Sequence, residues 1–182
     1  ANHFALFGLP ERYALDSAAL DRAYRELQSR VHPDRFAASG AAEQRVALQW
    51  ATQANEAYRV LRDPLNRAIY LCDLKGHDPA RENNTNMPQE FLVEQLEWRE
   101  SLDDARASDE RDALAALDRE LASTRERLSA EIEVALDRSD DADGDADAAA
   151  AHASELVRQW MFVERFGEDV ATASDRLRST VN

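Results

Sequence analysis

The segment that most constrains this chain is His32-Pro33-Asp34, which stands between two apolar repeats. Before it, Leu20, Ala23, Tyr24, Leu27 and Val31 recur at helical spacing; after it, Ala47, Trp50, Ala54, Tyr58 and Leu61 do the same. Proline cannot continue a helix and pushes the residue before it out of the helical region. The chain must therefore turn here. With only a short join available, the two stripes bury each other as an antiparallel helical hairpin. An imidazole and a carboxylate are then displayed at its tip.

The flanking segments extend an all-α pattern. Asp16 or Ser17 caps a helix over 17–31, and a longer one follows over 41–62. Phe4, Leu6, Phe7 and Leu9 make a short apolar opening before them. Asp63-Pro64 starts a further short helix carrying Ala68, Ile69, Leu71, Cys72 and Leu74, which Gly76 closes. Residues 76–87 are rich in Gly, Asp, Pro and Asn and read as a linker, after which Asn86 and Gln89 form a capping-box-like start around Pro88. Helical patterns over 88–106, 109–138 and 150–178 then predict an antiparallel three-helix bundle. Only 5 Gly and 5 Pro in 182 residues leave too few turn residues for a β-rich alternative. The expected organisation is a helical hairpin with flanking short helices at 1–75, a linker at 76–87 and a three-helix bundle at 88–182.

Charge separates the two halves. Residues 1–75 carry a net of +1 and residues 76–182 a net of -15, for a total of -14. The acidic half repels phosphates and anionic bilayers, so nucleic acid and membrane are set aside as partners. No apolar run reaches membrane-spanning length, and the N-terminus lacks a secretory pattern. The single cysteine, Cys72, precludes an internal disulfide and reads as a small buried apolar residue. A cytoplasmic protein is the expectation. An acidic loop at about 139–149 resembles a calcium loop only superficially: with Gly144 at the glycine position, Ser139 and Ala150 fall where carboxylates are required. It reads as a solvated loop.

The first bundle helix has two apolar sides. Taking about 100° per residue from Leu92, the residues Leu96, Glu100, Val93 and Glu97 fall at roughly 40°, 80°, 100° and 140°. Phe91, Trp98, Leu102 and Ala105 fall between about -140° and -80°. The larger side chains of the second group assign it to the core. Leu92, Val93 and Leu96, edged by Glu97 and Glu100, are either a docking patch or a second buried arc. Catalytic readings find no support: no serine or cysteine is placed for His32 and Asp34 to activate, and His3, His32, His77 and His152 lack metal-ligand spacing. No cofactor or metal is expected, and the chain is read as a non-enzyme.

The arginine-bearing helix, the tripeptide and Asn55-Glu56-Ala57-Tyr58-Arg59-Val60-Leu61-Arg62-Asp63-Pro64 together resemble a J domain. The likeness continues in Phe4-Ala5-Leu6-Phe7-Gly8-Leu9-Pro10, His32-Pro33-Asp34-Arg35-Phe36, the run from Asp63 to Leu71 and Phe91 to Glu100, and extends to the iron–sulfur cluster co-chaperone family HscB. That resemblance implies stimulation of the ATPase of a DnaK-type chaperone, HscA, through His32, Pro33 and Asp34, with Arg22, Tyr24, Arg25, Arg30 and Arg35 beside them. It further implies that Leu92, Val93, Leu96, Glu97, Glu100 and Phe162 hold the cluster scaffold IscU. A general J protein serving other clients and an acidic helical scaffold without an ATPase partner are the rival readings.

Overall fold

The computed structural model describes residues 2–81, 87–138 and 145–180. It comprises α1 (His3–Leu6), α2 (Ser17–Val31), a 3-10 helix (Pro33–Phe36), α3 (Ala41–Arg62), α4 (Pro64–Leu74), α5 (Gln89–Ser108), α6 (Arg111–Asp137) and α7 (Ala146–Ser179). No strand occurs among the described residues. The helices of the first half begin where their capping residues dictate. The Asp16 carboxylate accepts from the amides of Ala18 and Ala19, and that of Asp63 from Asn66 ahead of Pro64. Gly76 has φ +87°, a left-handed conformation that closes α4 and that a side chain would strain.

The hairpin of α2 and α3 buries Leu20, Ala54, Ala57 and Leu61, with Phe4 of α1 closing one end. Tyr24 and Tyr58 are half-buried, and their rings stack at 4.1 Å. Tyr58 donates to Asp21 at 2.7 Å and Tyr24 to Asn55 at 2.6 Å, so each phenol keeps a polar partner at the rim of the core. Trp50 departs from its expected place in the core stripe and is 44% exposed. It lines both the groove between α1 and α3 and a hollow formed with Val31 and Phe36, at a level of α3 that neither α1 nor the 3-10 helix covers fully.

α6 and α7 pair along the bundle, and α5 packs on both more lightly. α5 starts at a Pro88 cap with no side-chain bond, and the expected Asn86 cap lies outside the described residues. Much of the acidic loop, from 139 to 144, also lies outside them. Its far end belongs to α7, which begins at 146 rather than 150 because Asp145 accepts from the amides of Asp147 and Ala148 ahead of an alanine run.

One apolar core runs from Phe4 through α4 into α6 and α7, so the two halves are joined, not merely tethered. At the junction, Asp137, at the end of α6 and 7% exposed, accepts from the Tyr13 amide at 2.7 Å and the Ala14 amide at 2.8 Å. Tyr13 and Ser129 share a hydroxyl–hydroxyl bond of 2.7 Å. Arg67 of α4 donates to the Tyr13 carbonyl at 2.7 Å and the Leu61 carbonyl at 2.8 Å. Burial pulls the Arg67 guanidinium below its usual range, opposed by Tyr13, Asp63, Asp137 and Glu133.

Candidate functional site

The turn of the hairpin is built to present two side chains. His32 ends α2 in an extended conformation, and Pro33 opens the 3-10 helix. The His32 Nδ1 accepts from the Asp34 amide at 3.2 Å. An accepting Nδ1 leaves the neutral ring's proton on Nε2, so the outer edge of the imidazole is a donor. Gln44 of α3 donates to the carbonyls of Phe36 and Ser39, both at 3.1 Å, and ties the turn down. The Asp34 side chain is 92% exposed, and the His32 Nδ1 lies 3.5 Å from its Oδ2. Its carboxylate therefore faces solvent, with no lysine or arginine among the described residues paired to it.

The surrounding arginines differ in availability. Arg25 and Arg35 line one shallow depression with Gln28, Ser29 and His32. Arg30 is held by Glu26 at 2.6 Å, whereas Arg22 is exposed about two turns further up α2. Tyr24 faces inward: beyond its stack on Tyr58 it makes an edge contact with Phe7 at 6.3 Å and accepts from Gln28. Its place is to hold α2 on α3.

On α5, Phe91, Trp98, Leu102 and Ala105 are buried, while Leu92, Val93 and Leu96 are 45%, 48% and 68% exposed. Glu97 and Glu100 are exposed at their edge. The helix carries apolar residues on both sides and uses one of them for the core. An aromatic series holds that side in place: Phe162 meets Phe91 edge-on at 5.8 Å and stacks on Phe166 at 6.2 Å, and Trp98 stacks on Phe166 at 6.1 Å. Phe162 is half-buried and supports the patch from α7.

The junction of Tyr13, Arg67, Ser129 and Asp137 was not legible in the sequence. Its partners lie up to 124 residues apart, and Asp137 is one acid among many in its half.

A helical hairpin that displays His-Pro-Asp at its turn, carried on a three-helix bundle, defines a J-domain protein with a C-terminal helical domain. The family described as the HSCB C-terminal oligomerisation domain matches residues 87–171. A co-chaperone protein HscB homologue of Burkholderia multivorans is 52% identical over 178 residues, covering 98% of this chain and 97% of that protein. One from Paraburkholderia phymatum is 50% identical over 176 residues, covering 97% and 95%. Among solved structures, the chaperone HscB from Vibrio cholerae superposes with a TM-score of 0.78 at 34% identity, covering 97% of this chain and 99% of the other. Human co-chaperone protein HscB shares the fold, with a TM-score of 0.81 at 24% identity, covering 94% and 81%. The chain belongs to the HscB co-chaperone family. No helix among the described residues is long and apolar enough to cross a membrane.

Proposed function

We propose that this protein stimulates the ATPase of a DnaK-type chaperone of the HscA kind and presents to it an IscU-type iron–sulfur cluster scaffold, acting in the cytoplasm. The observation that carries this reading is the solvent-facing, un-neutralised Asp34 beside the outward donor edge of His32. An arginine on the ATPase surface gives Asp34 a charge-assisted partner, and Pro33 keeps the turn in register for it. Arg22, Arg25, Arg30 and Arg35 steer the hairpin towards an acidic surface, Arg25 and Arg35 most directly. Tyr24 contributes by fixing α2.

The chain supplies no reacting group. It accelerates its partner's hydrolysis by binding the hydrolysis-competent arrangement more tightly than the resting one, which is the only way a bound protein shifts such an equilibrium. The division of labour follows the chain: a J domain over 1–75, a linker over 76–87, and a scaffold-binding bundle over 88–182. On the bundle, Leu92, Val93 and Leu96 form the apolar centre of a docking face rimmed by Glu97 and Glu100, with Phe162 behind it.

Steady-state ATP turnover by the chaperone tests this reading. The wild-type protein is expected to raise turnover and the His32→Gln variant to leave it at the basal rate. Equal stimulation by both would remove the tripeptide from the mechanism.

A further inference from the structure

The turn separates two kinds of surface. On one side His32 joins Arg25, Gln28, Ser29 and Arg35 in a polar, basic depression. On the other, Val31, Phe36, Ala42, Val46, Ala47 and Trp50 line an apolar socket of about 290 Å³, with Glu43 its one charged neighbour. Val46 is 51% exposed and Trp50 44%, large apolar surfaces that the packing of the chain leaves in water. Isolated exposed apolar residues are ordinary, but here several converge on a concavity.

We infer that this socket receives an apolar side chain from the same DnaK-type chaperone that engages the tripeptide. The inference rests on the function proposed above. Three features select that occupant. Val31 immediately precedes His32 and Phe36 follows Asp34 by two residues, so the socket lies beside the tripeptide, on the flank of the turn opposite the basic depression. A protein seated on Asp34 is within reach of the socket. The lining is apolar but for Glu43, so an uncharged apolar side chain loses least on entering it. Seven residues line the hollow, far fewer than the roughly 20–30 a side that a stable association of two copies needs.

The socket and the tripeptide then have separate tasks. Asp34 and His32 discriminate between states of the chaperone. The socket adds apolar burial that serves every bound state alike, and so sets affinity rather than maximal stimulation.

The test is chaperone ATP turnover measured over a range of concentrations of this protein. Val46→Ser with Trp50→Ser is expected to raise the concentration for half-maximal stimulation roughly tenfold while leaving the maximum unchanged. Trp50→Phe, which keeps the socket filled, is expected to stay near wild type. His32→Gln is expected to remove stimulation at any concentration. Trp98 and Trp160 are 2% and 7% exposed, so acrylamide quenching of the protein reports chiefly on Trp50. The quenching difference between wild type and Trp50→Phe should shrink when the chaperone binds, which tests the contact directly even if the double serine variant misfolds. A half-maximal concentration unchanged in a folded double variant, or Trp50 equally quenchable in the complex, overturns the socket while the His32 effect keeps the tripeptide reading. Absence of stimulation by the wild-type protein overturns both.

Discussion

Asp137 shows how much one buried carboxylate settles in this molecule. Its two oxygens accept the amides of Tyr13 and Ala14, on a loop that Arg67 grips from the other side. Asp137→Ala strands two donors in a site with little water, and buried donors left without acceptors are costly. We expect urea unfolding to show a loss of about 2–4 kcal/mol; a loss below about 0.5 kcal/mol would mean that the junction is incidental. His3 offers a pH test. Its ring stacks on Tyr70 at 4.3 Å, and burial holds its pKa below the ordinary 6.5, with Glu56 opposing. The unfolded chain therefore binds this proton more readily than the folded one, so stability is full above the ordinary histidine range and falls as pH drops through it to the lowered value. His3→Gln should flatten that part of the dependence of the melting temperature on pH, and an unaltered slope would assign it to other groups. Residue roles such as these were not legible in the sequence, because they depend on contacts between distant segments. Trp50 makes the same point in reverse. Its helical phase matches the buried stripe, yet its neighbours leave it 44% exposed.

Elements were far more legible. Spacing and caps placed α2 over 17–31 and α3 over 41–62, as they are found, because Asp16, Pro33, Asp63 and Pro64 punctuate the chain with side chains that act locally and Gly40 breaks it by lacking one. α7 starts four residues before the expected position, because Asp145, one of a run of acids, is a helix cap. Deleting residues 140–147 therefore removes the Asp145 cap and the Asp147 contact to His77 at 2.7 Å, and should cost about 1 kcal/mol or somewhat more in thermal unfolding. Both partner-binding activities should survive; loss of either would give the segment a role in recognition. The two sides of α5 were legible in its residue spacing, because the group with the larger side chains takes the core. Leu92→Ala with Leu96→Ala should leave folding stability within about 0.5 kcal/mol, both residues being exposed. The same change should weaken scaffold binding by roughly 2 kcal/mol in calorimetry if these are central anchors. Unchanged affinity would place the scaffold elsewhere.

At the scale of the whole molecule, the continuous core and the Asp137 junction give the two proposed binding faces one fixed geometry. The sequence announced two parts of different charge and a linker between them. It did not announce that α4 of the first part lies against α6 and α7 of the second, because apolar residues that face a neighbouring domain look like any others on a helix. The proposed function draws on this arrangement: one rigid chain brings scaffold and chaperone together, rather than two modules acting separately. The most direct test is chaperone ATP turnover at low scaffold concentration. It compares the wild-type protein with an equimolar mixture of His32→Gln and the Leu92→Ala, Leu96→Ala variant. Between them the two variants contain both faces, but never both intact on one chain. The wild-type protein should amplify the response to scaffold, and the mixture should not. Amplification by the mixture equal to that of the wild-type protein would contradict this.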